Sequence, residues 1–107
     1  MVLSEMDAIA FAREAEKEVR ALDSPTQARL RRNLARLAEG AAGLDIKPLA
    51  GREPWKRLRI GDSRVIFREV DEAEHARYRW LVARVVNRRD LERAIKTAVS
   101  SGQRNEF

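Results

Sequence analysis

Apolar residues recur every three or four positions in two early stretches of this chain, alternate with polar ones in its middle, and return to helical spacing near its end. From Ala12 to Leu22, the residues Ala15, Val19 and Leu22 share one face of a helix, and Arg13, Glu14, Glu16, Lys17 and Glu18 occupy the others. Ala8, Ile9, Ala10 and Phe11 just before it form a short apolar run that reads as a strand. A second helix is predicted to begin at Ser24, whose hydroxyl can cap free N–H groups, followed by Pro25 at the first helical position and Gln27 as the capping-box partner. Leu30, Leu34, Leu37 and Ala41 line its apolar face, Arg29, Arg31, Arg32 and Arg36 lie elsewhere, and Gly40 with Gly43 supplies the stop. The short link predicts an antiparallel helical hairpin.

After Gly43 the period changes. Gly51 and Pro54 punctuate the chain before WKRLRI at 55–60, where Leu58 and Ile60 alternate with Arg57 and Arg59 as in a half-buried strand. The Gly61-Asp62 pair turns the chain into SRVIFREV at 63–70, and the charged DEAEHAR at 71–77 turns it into YRWLVARVV at 78–86. Leu91, Ala94, Ile95 and Ala98 then repeat at helical spacing behind Asn87 or Asp90, either of which can cap a terminal helix. The order predicts an α+β fold: an N-terminal helical hairpin packed on one face of a small, mainly antiparallel sheet, with a C-terminal helix, the other sheet face meeting solvent or a ligand. Alternation sets Arg57 and Arg59 opposite Leu58 and Ile60, and puts Trp80, Val82, Arg84, Val86 and Arg88 on a shared side.

Length changes this picture little: 107 residues make one domain, 1–107, with disorder expected only in the polar tail 99–107. Charge changes it more. Lys and Arg number 22 against 17 Asp and Glu, a formal +5 with a sequence pI near 10.4, which suits either a polyanionic partner or simply a charged, soluble coat. There is no cysteine, so disulfides, thiolate metal sites and Cys nucleophiles are excluded. The apolar runs are far short of the roughly 20 residues that span a bilayer, and MVLSEMD does not read as a signal peptide, so a cytoplasmic location with no membrane partner is expected.

The chemistry-bearing group is Lys56, Arg57, Arg59, Arg64, Arg68, Arg84, Arg88 and Arg89, because hairpin strands bring positions distant in sequence side by side. Clustered guanidinium groups repel one another, and a bound polyanion offsets that cost while its oxygens accept bidentate hydrogen bonds. The competing reading is that Glu53, Asp62, Glu69, Asp90 and Glu92 neutralise them in ordinary surface pairs. His75, in the acidic turn, reads as a solvated loop residue; Trp55, Trp80 and Tyr78 suit either base stacking or packing. No glycine-rich phosphate loop, metal-ligand cluster or Ser/His/Asp set is evident, and no metal or cofactor is expected.

The runs IKPLAGREPWKRLRIGDSRVIF at 46–67 and VARVVNRRDLERAI at 82–95, with AREAEKEVRAL at 12–22, resemble the RelE-like toxins of type II toxin–antitoxin systems, members of the RelE/ParE superfamily. The resemblance spans about residues 6–98 and implies the RelE/ParE-like fold. It also implies ribosome-dependent, metal-independent cleavage of mRNA, in which the 2′-hydroxyl attacks the adjacent phosphate. By position, Arg64 matches the family arginine opening the RVI strand, Arg88 the arginine after the last strand, and Arg57 and Arg59 the basic residues of LR. Arg64 and Arg88, with Arg59, are then expected at the phosphate, and Lys56, Arg57, Arg68, Arg84 and Arg89 along the RNA. Where many relatives carry a tyrosine in the final helix, this chain has Glu92, which reads either as a general base or as a helix-surface carboxylate. Implied partners are a cognate antitoxin, the ribosome and mRNA. The same resemblance leaves open a ParE-like, non-enzymatic inhibitor of DNA gyrase, and a degenerate toxin that only binds.

Overall fold

The computed structural model describes residues 8–71 and 77–101, with side chains through Thr97. His75 and the last residues of the tail, 102–107, lie outside the described residues. In chain order the elements are β1 (Ile9–Phe11), α1 (Arg13–Arg20), α2 (Ser24–Ala38), β2 (Asp45–Pro48), β3 (Lys56–Ile60), β4 (Ser63–Glu69), β5 (Trp80–Asn87), a 3₁₀ turn (Arg88–Asp90) and α3 (Leu91–Ser101). The strands form one mixed sheet in the order β1-β5-β4-β3-β2, with β1 parallel to β5 and the other pairs antiparallel. α3 carries the helix to Ser101, into the stretch expected to be a disordered tail.

Local chemistry sets the helix ends. The N-cap of α2 is Asp23, one residue before the expected Ser24: its Oδ2 accepts from Thr26 N at 3.3 Å and its Oδ1 from the Thr26 hydroxyl at 2.7 Å. Asp23 holds the cap through these two bonds to Thr26, Pro25 stays in the first helical turn, and Gln27 donates Nε2 to the carbonyl of Val19 instead of closing a capping box. At the other end Gly40 takes φ +72°; its N–H reaches Leu37 O and the N–H of Ala41 reaches Arg36 O, which is a Schellman closure.

The first apolar cluster lies between the sheet and α1 with α2, and joins Ala15, Val19, Leu30, Leu34 and Leu37 to Leu58, Ile60, Val65, Phe67, Val82 and Val85. α1 rests on β5 and β1, whereas α2 rests on β3. The opposite face is only partly left to solvent or ligand, where the pattern predicted it to be open throughout. Ala94 and Ile95 of α3 join Ile66, Leu81, Ala83, Ala10, Trp55 and Leu49 in a second buried cluster. Helices thus cover both faces, because alternate residues of β4 and β5 are apolar on each side.

Two features of the sheet escaped the pattern. β2 holds one half-buried apolar residue, Ile46, between exposed Asp45 and Lys47, and closes on Pro48, a composition indistinguishable from loop until β3 pairs with it. In β5 the register with β4 slips between Ile66 and Phe67, so that Ala83 is the extra residue of a bulge. Trp80 and Val82 consequently pack with the first cluster and Val86 with the second, so the five residues expected on one side are divided.

Candidate nucleic-acid interface

Alternation in β3 buries Leu58 and Ile60 beneath α2 and turns Arg57 and Arg59 to the face that α3 partly covers. Pairing with β4 places Arg57 opposite Ile66 and Arg59 directly opposite Arg64. The connecting turn is tight, with Gly61 at φ +59°. Arg64 folds back over it, donating Nη1 to Gly61 O at 2.8 Å and to Ser63 O at 3.0 Å. The same turn captures the end of β5: Arg88 N–H donates to Asp62 O at 2.8 Å, and its Nε lies 3.8 Å from Asp62 Oδ1. One two-residue turn therefore assembles arginines from β3, β4 and the 3₁₀ turn.

Four guanidinium groups, those of Arg57, Arg59, Arg64 and Arg88, meet two carboxylates here. Asp45, on the edge strand β2, accepts Arg57 Nη1 at 3.0 Å through both its carbonyl and its Oδ1, and its Oδ2 lies 4.0 Å from Arg59 Nη1. That hydrogen bond from Arg57, with the charges of Arg57, Arg59 and Lys47 behind it, holds the Asp45 carboxyl below its usual range against the opposing effect of burial. Arg64 is pushed the other way for a cation. Partial burial lowers its pKa first, then repulsion from Arg59, Arg57 and Arg88, and Asp62 only partly offsets this. Among the described residues Arg64 has carbonyls, not a carboxylate, as its hydrogen-bond partners. Such a site favours an incoming anion, since a second negative group relieves repulsion already present in the folded protein.

The remaining basic residues lie elsewhere. Lys56 pairs with Phe67 and by alternation shares the face of Leu58, opposite Arg57. Arg68 is buried, its guanidinium 5.6 Å from the Trp55 ring centroid and its Nη1 donating to Glu69 O. Arg84 is claimed by Glu18 of α1: Nε donates to both carboxylate oxygens at 3.1 Å and Nη2 to Oε2 at 2.7 Å, and this raises the Arg84 pKa. Arg89 is exposed on the 3₁₀ turn beside Arg88, with Nε donating to Asn87 Oδ1. Trp55 is a core residue, Trp80 packs edge-on to Phe67 at 5.7 Å, and Tyr78 leans on the second cluster. Glu92 is exposed on the first turn of α3.

Sequence reading overlooked two residues that organise this region. Glu18 looked like an ordinary acid on a helix surface, yet it accepts Val85 N–H at 2.9 Å where β1 has run out along β5. Asp45 sat in what read as loop. No local signal marks either residue, since each works on a strand far away in the chain.

No family model matches the chain, and no curated protein does. Solved structures do. The E. coli toxin RelE, as a double arginine-to-alanine mutant in the free state, is 21% identical with a TM-score of 0.66, covering 88% of this chain and 95% of that one. A chain of the RelB–RelE antitoxin–toxin complex from Methanococcus jannaschii is 17% identical with a TM-score of 0.64, over 78% of this chain and 95% of that one. The archaeal RelE–RelB complex from Pyrococcus horikoshii OT3 gives 18% and 0.55, over 78% and 96%. At these identities the likeness is one of fold: the chain is built on the RelE toxin architecture.

Proposed function

We propose that this chain is the toxin of a toxin–antitoxin pair and that it cuts messenger RNA on the ribosome, in the cytoplasm, without a metal. The observation that carries the reading is Arg64, set among Arg57, Arg59 and Arg88 and bonded only to carbonyls among the described residues. In the reaction a 2′-hydroxyl oxygen bonds to the adjacent phosphorus while the bond to the 5′ oxygen breaks, leaving a 2′,3′-cyclic phosphate and a 5′-hydroxyl. A base takes the 2′-hydroxyl proton, and the departing 5′ oxygen gains one. Negative charge gathers on the non-bridging oxygens at the midpoint, where fixed guanidinium donors act most strongly. Arg64, Arg88 and Arg59 take those oxygens. Arg57, pinned by Asp45, shapes the neighbouring field, and exposed Arg89 extends the cationic surface toward a flanking phosphate.

Arg84, Arg68 and Lys56 stand outside this group: Glu18 occupies the first, Trp55 lies against the second, and the third is on the other sheet face. The partner that neutralises such a surface is an antitoxin with an acidic segment, and two of the similar structures are complexes of RelE with RelB.

Mapping of message ends in a translating extract tests the reading. Arg64→Ala and Arg88→Ala should each lower cleavage about a hundred- to a thousand-fold with the fold retained, as for removal of one transition-state donor. Glu92→Gln, an exposed position, should leave it within a few-fold. A folded wild-type protein that cuts no translated message would reject the proposal, and inhibition of supercoiling with messages intact would assign the target to gyrase instead.

A further inference from the structure

The chain's formal charge of +5 is unevenly distributed: α2 alone carries four arginines, no lysine and no acid. Arg29, Arg31, Arg32 and Arg36 are all exposed, while Leu30, Leu34 and Leu37 are buried beneath the helix. At 3.6 residues per turn, Arg29, Arg32 and Arg36 fall within about 60° of one another and form a stripe about 10 Å long. Among the described residues no carboxylate pairs with any of these three; Arg36 donates Nη2 to the carbonyl of Ala42 at 2.8 Å. α1 is different, since its Lys17 and Arg20 are matched by Glu14 and Glu16 on the same helix. The stripe is also joined to the candidate site. A Cβ built on Gly61 would lie 2.7 Å from Arg29 Nη1, so that guanidinium packs on the β3–β4 turn whose Gly61 carbonyl holds Arg64.

We propose that the Arg29–Arg32–Arg36 stripe is a second RNA-binding surface, which grips the phosphate backbone of a folded, double-helical RNA. This surface is separate from the strand being cut, and the proposal rests on the reading of the chain as an RNA-directed toxin. Three observations select that occupant. All the cations are arginine, whose planar fork suits paired phosphate oxygens better than a lysine point charge. The helix spends its leucines on the core, and the apolar residues left exposed on it are Pro25 in the first turn and the small Ala28 and Ala35. The exposed face of α2 therefore offers an acidic peptide no large apolar side chain to anchor on, and a membrane none to take into its interface. Ala28 and Ala35 instead permit a bulky, rigid polyanion to approach closely, and duplex RNA supplies closely spaced charge along its length. Held there, the toxin presents its β3–β4 turn, and with it Arg64, to the strand beside the duplex.

The test uses a blunt RNA duplex without single-stranded ends, titrated with the purified full-length protein over a range of KCl concentrations. The wild type should bind, with an affinity that falls steeply as salt rises. The triple variant Arg29→Gln/Arg32→Gln/Arg36→Gln should bind at least about tenfold more weakly, with a log–log salt slope shallower by about two to three, near 0.9 for each phosphate left without its arginine. Arg32→Glu tests the same point with one substitution at a side chain that makes no hydrogen bond or ion pair among the described residues, and it should weaken duplex binding more than the glutamine change at that site. The triple lysine variant should keep most of the slope. Duplex binding that is absent in the wild type, or unchanged in affinity and slope in both the triple glutamine and Arg32→Glu proteins, overturns the proposal. So does a stripe needed only for capture of an acidic protein partner. Arg64→Ala must retain duplex binding; a wild type that shows arginine-dependent duplex binding yet never cuts message sinks the cleavage reading and leaves this one standing.

Discussion

Glu18 stands in for a missing strand. β1 stops at Phe11, leaving the Val85 N–H at an open sheet edge, and the Glu18 carboxylate accepts that N–H together with a bidentate bond from Arg84. Only about a fifth of each side chain is exposed, so removing the acid strands a cation and a backbone donor in a half-dry setting. Glu18→Ala should therefore cost about 2–3 kcal/mol in urea unfolding, and Glu18→Gln less, because the amide oxygen still accepts from Val85. A loss under about 0.5 kcal/mol in the alanine variant would show the pair to be ornamental. Asp45 makes a separate prediction about pH. Its carboxyl titrates below 3.8 in the folded protein, chiefly through the Arg57 hydrogen bond. A depressed acid stabilises the fold above its unfolded pKa and loses that contribution as pH falls through the folded value, so the affected window lies below about pH 3.8. Melting curves of Asp45→Asn should show a flatter loss of stability across that acid range than the wild type; parallel acid limbs would contradict the assignment.

Among the elements, the β3–β4 turn is the one on which the others converge. Arg29 packs on it from α2, Arg64 bonds its Gly61 carbonyl from β4, and Arg88 bonds its Asp62 carbonyl from the end of β5. Gly61 is required twice, by its left-handed φ of +59° and by the 2.7 Å approach of Arg29 to the place of a Cβ. The arginine tip can move, so the lasting penalty of Gly61→Ala is backbone strain of about 1–2 kcal/mol. Thermal unfolding should register a drop of several degrees, and an unchanged melting temperature would mean the turn had relaxed into another type. The turn was legible beforehand as Gly-Asp between two strand-forming runs; α1, α2 and β3 followed from their periods, and β4 and β5 from their β-forming residues. β2 was not legible, because one apolar residue beside a proline carries no period. The bulge at Ala83 was also hidden: an extra residue in a largely apolar strand leaves no mark until a partner counts the register.

Across the molecule as a whole, the sheet is buried on both faces, with α1 and α2 on one side and α3 closing part of the other. The arginines of β3 and β4 share that second face with α3, so cationic chemistry and an apolar helix seat adjoin each other. Residue order was enough to set the α+β class and the turn that sets β3 against β4, and it put Arg57, Arg59, Arg64 and Arg88 in a group of eight cations that spacing alone did not divide. The class and the turn follow from spacing within a few residues or across one tight hairpin. Packing in three dimensions was needed to assign Arg84 to Glu18 and Arg57 to Asp45, to divide the residues of β5 between the two faces, and to flank the sheet with helices on both sides. Those outcomes depend on which distant acid reaches which cation and on a single bulged residue that reverses parity. Local pattern has no means to count either one, because both arise only when separate segments of chain are brought into contact.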